Sequence, residues 1–401
     1  MIMATGLSRR ALDVKPSSTL AISDKAKQMK ASGIDVVSFG AGEPDFPTPK
    51  NICDAAKAAI DNGFTKYTAA SGIIELKKAI ADKFEKVNKI HYEPSQIVVS
   101  NGGKHALTNI FEALLNPGDE VIIPAPYWLS YPEMTKLAGG VPVFVKTTKE
   151  NNYKITPEQL AAACTEKTKI FVLNSPSNPT GMIYTRSEIE AIAKVIVEKD
   201  IYVISDEIYE NLVYSGDEVV SIASLNDEIY KRTITCNGMA KSYAMTGWRI
   251  GYTGSAPEIA KAMSSIQSHQ TSNPNSIAQK AALEALTGPQ DTVETMRQEF
   301  AKRCDYMYER ISKMPHVSII KPQGAFYDFI DVSGTFTKKY KGEVIGDVFR
   351  LADILLNDFN VAVIPCPDFG FETHIRLSYA TSMALIEKGM DRIEACLKTL
   401  E

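Results

Sequence analysis

The chain lacks the residue patterns that mark several broad classes of protein. Its six cysteines (Cys53, Cys164, Cys236, Cys304, Cys366 and Cys396) are scattered without a CxxC pair. That spacing speaks against a disulfide framework, a zinc ribbon and a dithiol redox site, and leaves the thiols as small buried hydrophobes. Five histidines form no HExxH or similar cluster, so no metal is expected. No uninterrupted apolar run approaches bilayer-spanning length, and Met1–Arg10 lacks the apolar centre of a signal peptide, so the expected location is the cytoplasm, with no membrane partner. An excess of basic charge is also missing. With 44 Lys and Arg against 48 Asp and Glu the net charge is -4, which offers nucleic acid no footprint. Asn178-Pro179-Thr180 only imitates a glycosylation site, because proline occupies its middle position.

What the chain does have is length and rhythm. Its 401 residues, 44% of them hydrophobic, suffice for two domains with substantial cores. From about residue 50, helical patterns alternate with short apolar runs at Gln96–Ser100, Glu120–Ile123, Val141–Val145, Lys169–Leu173, Ile201–Ser205, Arg232–Thr235 and Trp248–Thr253. These read as buried strands of an α/β sheet, mostly parallel, with helical cover from His105–Leu115, Ser187–Lys199 and Pro257–Ser268. After about residue 290 the rhythm changes. A long charged helix is followed by Val317–Lys321, Ala325–Asp331, a helix near Gly346–Asp358 and strands ending near Ile364 and Leu377, a pattern that predicts a smaller α+β domain. The loop Gly40–Pro49, rich in Gly and Pro, is expected to cross between domains.

The segment from Asn237 to Tyr252 carries the most chemistry. Lys241 stands eight residues before Arg249 among small residues. An amine that bonds covalently to an aldehyde needs such a close setting, and an arginine fork returning nearby is suited to a phosphate. Asn178, Asp206 and Lys241 all fall just beyond the carboxyl ends of predicted strands, where open α/β sheets place their ligand crevices. Asp206, at a buried strand end, would offer a carboxylate to a cationic group, and Tyr209 and Asn178 would offer hydrogen bonds beside it. Ser100-Asn-Gly102-Gly103-Lys104-His105 joins a strand to a helix, so its backbone N–H groups can surround a phosphate, although it is not a Walker loop. Trp128 offers a flat face to a ring, and Arg376 a fork to a carboxylate. Each has a plainer reading taken alone. Lys241 would be solvated, Asp206 a helix cap, Tyr209 and Trp128 packing, Asn178 and the glycines turns, and Arg376 half of a surface ion pair. Their company with Lys241 favours one shared site.

The segment Gly238–Gly251 resembles the lysine-attachment signature of class I pyridoxal-phosphate aminotransferases, and the likeness extends from about Lys15 to the last helix. It is carried in order by Ala41-Gly-Glu-Pro-Asp-Phe46, Gly102-Gly-Lys104, Pro126-Tyr-Trp128, Asn174-Ser-Pro-Ser-Asn178-Pro-Thr-Gly181, Ser205-Asp-Glu-Ile-Tyr209, the Lys241 segment and Arg376-Leu-Ser-Tyr379. The pattern is most similar to the bacterial one-beta aspartate aminotransferases. One departure is Ala240, where a serine often precedes the lysine.

The resemblance implies the aspartate aminotransferase-like fold (fold type I). Residues 49–290 would form the large domain, with a mostly parallel seven-stranded sheet. Residues 1–48 would be an arm and part of the small domain, and 291–401 the remainder of the small α+β domain. It implies pyridoxal 5'-phosphate as cofactor, attached to Lys241, with Asp206 at the ring nitrogen and Asn178 and Tyr209 at the ring hydroxyl. Trp128 would stack on the ring, and Gly103, Lys104 and Arg249 would lie around the phosphate. Arg376 and Gly42 are assigned to the substrate α-carboxylate, and Tyr67 to the neighbouring subunit of a homodimer with shared active sites. Substrates would be amino acids and 2-oxo acids, aspartate and 2-oxoglutarate first, exchanged in ping-pong fashion. Gln267–Asn275 holds no arginine for a distal carboxylate; Lys104 with Thr19 takes that place, a pair that leaves prephenate or a broader substrate range open. A carbon–sulfur lyase shares such machinery. A noncatalytic regulator would carry an added DNA-binding domain, for which the sequence leaves no room before Lys15.

Overall fold

The computed structural model describes residues 6–16, 18–216 and 218–401, so the expectation for Met1–Arg10 falls partly outside the described residues. After a short first strand, β1 (Val37–Ser38), seven strands build the main sheet. They are β2 (Ile97–Ser100), β3 (Glu120–Ala125), β4 (Val141–Lys146), β5 (Thr168–Asn174), β6 (Tyr202–Asp206), β7 (Thr233–Gly238) and β8 (Gly251–Gly254). Their order is β2-β8-β7-β6-β5-β3-β4, and β8 alone runs antiparallel to its neighbours.

The apolar runs form strands because both faces of this sheet are covered. Val121, Ile123, Ile170, Val172 and Ile204 pack on one side with the helices Gly103–Leu114 and Pro257–Gln270. The residues between them, Ile122, Phe171, Leu173 and Val203, pack on the other side with the helix Arg186–Lys199. Period-two alternation between two buried faces is what turns a continuous apolar run into an internal strand. The expected run Trp248–Thr253 becomes a strand only at Gly251, because Arg249 adopts a left-handed φ of 58° that an extended strand excludes.

The later strands are β9 (Ser318–Ile319), β10 (Tyr327–Asp331), β11 (Lys339–Tyr340), β12 (Glu343–Val344), β13 (Val361–Ala362), β14 (Ile364–Pro365) and β15 (His374–Ser378). An antiparallel sheet of order β14-β15-β10-β9 forms, and β11 pairs only with β12. The expected strand Ala325–Asp331 starts at Tyr327, since Ala325 has a φ of 60°. Chain start and chain end meet in this part of the molecule: β1 pairs in parallel with β13, and the N–H of Ser378 donates to the carbonyl of Phe39 at 2.8 Å. The architecture is thus α/β, a large unit around the mostly parallel seven-stranded sheet with a smaller α+β unit.

One edge of the main sheet gathers the chemistry. The carboxyl ends of β2, β3, β5, β6 and β7 all open there, as parallel strands must. Antiparallel β8 enters the sheet at the same edge, so the residues just before it join the group.

The chain-end helix Met383–Lys398 seats against β1 through Gly389, where an added Cβ would lie 2.4 Å from two ring carbons of the fully buried Phe39. Gly389→Ala is expected to destabilise the fold by about 1–3 kcal/mol through overpacking, read as a lower midpoint in urea with unchanged slope.

Candidate active site

A cavity of about 480 Å³ opens at that edge. Its lining includes Thr19, Gly42, Gly103, Lys104, Trp128, Asn178, Asp206, Tyr209, Lys241, Arg249 and Arg376. Every residue singled out from the sequence is therefore brought to one place except Tyr67, whose side chain is 90% exposed and lies outside the lining.

Lys241 sits in a tight turn between Met239 and Met245, both fully buried anchors. The N–H of Met245 donates to the carbonyl of Ala240 at 3.2 Å, which closes the turn. The Lys241 ammonium donates to the carbonyl of Gly42. Burial drives this amine down to about 8; Glu43 opposes the drop, while Arg376 and Arg249 add to it and Asp206 opposes it. Thr246 Oγ1 donates to Glu43 Oε2 at 2.8 Å, and Thr48 Oγ1 donates to the carbonyl of Ala244 at 2.7 Å. These two bonds hold the loop after β1 against the lysine turn.

Asp206 ends β6, on the same face as Ile204, and is buried. Its Oδ2 accepts from the hydroxyl of Tyr131 at 2.6 Å and its Oδ1 from the N–H of Ile208 at 3.3 Å. Burial lifts the carboxyl to about 6, against the pull of Tyr131, Ile208 and Lys241. Above that pH it is an anion. Tyr209 shares a 3.0 Å hydrogen bond with Tyr327, and burial followed by Tyr327 holds its phenol well above the usual range.

Cationic side chains lie on two sides of the cavity. Gly102 has a φ of 89°, and a Cβ there would lie 2.3 Å from Arg249 Nη2, so the guanidinium rests on bare backbone at the start of the helix Gly103–Leu114. Arg249 Nη1 donates to the carbonyl of Thr246 at 2.8 Å. Lys104 lies 5.1 Å from the centre of the Trp128 ring, and its ammonium is held below the usual range by burial and then by Arg249. Across the cavity Arg376, on β15, is 2% exposed. It donates to Asn178 Oδ1 at 3.0 Å and to the carbonyl of Gly40 at 3.4 Å, and its guanidinium lies 4.4 Å from the Tyr327 ring centre. Its Nε is buried without a partner, as is Thr19 Oγ1. Among the described residues Lys104, Arg249 and Arg376 form no ion pair. Five cations line the cavity (Lys27, Lys104, Lys241, Arg249 and Arg376) against two carboxylates, Glu43 and Asp206. The chain is acidic overall, yet its cavity carries an excess of cationic side chains.

Sequence reasoning missed Tyr131, Tyr327, Asn174, Glu43 and Thr246. Asn174 was inside a quoted motif; its Nδ2 donates to the carbonyl of Asp206 and its Oδ1 accepts from the N–H of Asn178, both at 2.9 Å. Tyr131, in the helix Ser130–Leu137, follows Trp128 by three residues, and the two rings meet edge to face with centres 5.3 Å apart. Among the described residues no cluster of His, Cys, Asp and Glu has a metal-binding arrangement.

In ligand-free protein an amine-directed acylating reagent is expected to modify Lys241 with a midpoint near pH 8, rather than about 10.4. Below the midpoint the amine is protonated and unreactive. Because Glu43 opposes the fall, Glu43→Gln should move the midpoint further down, as peptide mapping of label against pH would show.

Residues 34–393 match the family Aminotransferase class I and II. An aspartate aminotransferase of Bacillus sp. (strain YM-2) is 52% identical over 392 residues, covering 98% of this chain and 99% of that protein. An aspartate/prephenate aminotransferase of Cereibacter sphaeroides is 49% identical, covering 95% and 96%. The solved structure of the Thermus thermophilus aspartate aminotransferase with maleate is 44% identical and superposes with a TM-score of 0.92 over 98% of this chain and 100% of that one. A match over nearly the whole length, with a lysine turn and cationic side chains at one sheet edge, is membership and not a shared fold alone: this chain belongs to the class I and II aminotransferases.

Proposed function

We propose that this aminotransferase moves the α-amino group of aspartate to 2-oxoglutarate in two half-reactions, with pyridoxal 5'-phosphate held on Lys241. The observation that carries this reading is the cavity itself, which sets one depressed amine between two separate groups of unpaired cations.

The residues present fit the cofactor. A phosphate suits the bare backbone of Gly102 and Gly103 at a helix start, flanked by Arg249 and Lys104 without acidic partners. A flat ring suits the Trp128 face, with Asp206 as counter-ion for its protonated nitrogen and Tyr209 and Asn178 as partners for its hydroxyl. When bound, the cofactor supplies an aldehyde for the amine and a ring that accepts the electron pair released at the substrate α-carbon.

The chain's own groups do the rest. Arg376 grips the substrate α-carboxylate beside Gly42, which supplies the acceptor its buried Nε lacks. Neutral Lys241 Nζ moves the proton at the α-carbon, a task suited to an amine near the working pH. Lys104 and Thr19 Oγ1 meet the distal carboxylate; the maleate named with the Thermus thermophilus structure is likewise a dicarboxylate. Tyr67, fully extended into solvent, reaches the phosphate site of a second copy in a homodimer. We place the enzyme in the cytoplasm, with residues 49–290 as its large domain and 1–48 with 291–401 as its small one. Prephenate is the second reading, favoured by the unpartnered Thr19 hydroxyl and by the name of the Cereibacter sphaeroides relative.

Borohydride reduction of the purified enzyme followed by peptide mapping is expected to place the cofactor on Lys241, and label elsewhere overturns the reading. Lys241→Ala should lower turnover by at least about 10³-fold. A panel of donors with 2-oxoglutarate should rank aspartate first. Lys104→Met should raise KM for aspartate about 10-fold more than KM for alanine, and equal changes would remove Lys104 from the distal carboxylate.

A further inference from the structure

Behind Asp206, on the face of the main sheet turned away from the cavity, lies a buried polar cluster that the reaction outlined above does not use. Glu207 and Glu210 are 2% and 8% exposed, and Asn88, Ser205 and Ser221 are buried with them. A single amide joins the two acids: Asn88 Nδ2 donates to Glu207 Oε2 at 3.1 Å and to Glu210 Oε2 at 2.8 Å. Asn88 Oδ1 accepts from Lys83 Nζ at 2.9 Å, and Lys83 forms an ion pair with Glu210. Glu207 Oε1 accepts from Ser205 Oγ at 2.7 Å and from Ser221 Oγ at 2.6 Å. None of these residues lines the cavity.

The backbone is shaped to bring Asn88 there. The helix Ile74–Lys83 runs into one π-helical turn, Phe84–Asn88, which stops at Lys89 with a φ of 61°. Such turns widen a helix locally and redirect its side chains, often beside functional sites. Here the redirected amide meets the segment Ser205–Glu210. Alternation along that segment then divides the work, since Ser205 and Glu207 face the cluster while Asp206 faces the cavity.

We infer that Glu207, acting through Asn88, Ser205 and Ser221, is a positioning residue that fixes the Asp206–Tyr209 turn for the cofactor. Among the described residues only the hydroxyl of Tyr131 and the N–H of Ile208 bond the Asp206 carboxylate from the cavity side. The three donors on Glu207, together with the bond from its own N–H to the carbonyl of Cys236 at 2.9 Å, hold the turn from behind. Burial and then Glu210 push the Glu207 carboxyl up to about 7, with Ser221, Ser205 and Lys83 opposing. A raised acid favours the folded state below its unfolded pKa, and that contribution is lost as pH rises through about 7.

The inference rests on the function proposed above, and Glu207→Gln separates the two. Glutamine keeps the shape but has one acceptor oxygen where the carboxylate has two, so either Asn88 Nδ2 or the two serine hydroxyls lose their acceptor. In the apoenzyme, hydrogen exchange over 205–210 is expected to accelerate about 10-fold while β5 and β7 are unchanged. The dissociation constant for pyridoxal 5'-phosphate, read by titration of the apoenzyme, should rise about 10-fold, and kcat should fall comparably with KM for aspartate moved less than about 2-fold. Ser221→Ala, which removes one donor only, should show the same signs at smaller size. The decline of apoenzyme stability from pH 5.5 to 8 should flatten in Glu207→Gln. Wild-type protein that fails to bind pyridoxal 5'-phosphate would sink both readings. Wild-type binding with unchanged exchange and affinity in the variant would sink this inference alone, as would a lower melting temperature with unaltered kcat.

Discussion

A guanidinium buried without a carboxylate is the constraint on which the arrangement of this molecule turns. Removing a cation from water costs several kcal/mol unless its donors are met, and Arg376 is 2% exposed. Its charge is met by the carbonyl of Gly40, the amide oxygen of Asn178 and the faces of Tyr327 and Phe369. Those partners come from the loop after β1, the loop after β5, and the smaller sheet with the turn that joins β14 to β15. The three parts of the chain must therefore meet before the charge can be tolerated. Its Nε alone is left without a partner.

The second constraint is close approach of backbone to backbone on the other side of the cavity. A Cβ on Gly251 would lie 2.3 Å from the nitrogen of Gly103. The turn before the helix Gly103–Leu114 and the start of β8 are thus in contact, and Arg249 is forced over Gly102. That packing explains why Arg249 takes a left-handed φ although it is not glycine: the strain of about 1 kcal/mol or more is held by tight contacts on both sides. Strain and function coincide here because the same bend that leaves the strand also aims the fork at the helix start.

Much of the site was legible in the sequence, and the reason is topological. Parallel strands open at one edge, so any polar residue just past an apolar run is a candidate neighbour of every other such residue. Asn178, Asp206 and Lys241 could be assembled in that way from their positions alone. The aromatic hydroxyls could not. Tyr131 and Tyr327 reach the site from a helix start and from the smaller sheet, and 17 tyrosines in the chain give no means of choosing two. Strand limits failed for a local reason, at Arg249 and Ala325, where positive φ ends an extended run that composition alone continues. Glu207 was hidden differently. It stands beside Asp206 in sequence but on the opposite face, and its partner Asn88 arrives through a π turn that no simple periodicity encodes.

The separation of the cations sets what the cavity selects. Arg249 and Lys104 belong to the β2–β8 side, and Arg376 to β15 across the opening. Lys104 and Arg249 remain open to water through the cavity, so leaving them unpaired costs little until a ligand excludes that water. Filling the space strengthens every charge contact at once, because the local dielectric falls. A ligand with one anion would satisfy one side and leave the other desolvated and unmatched. By charge alone the cavity therefore favours anionic groups on both sides. Lys241 lines the same cavity, and burial brings its amine down to change charge near pH 8.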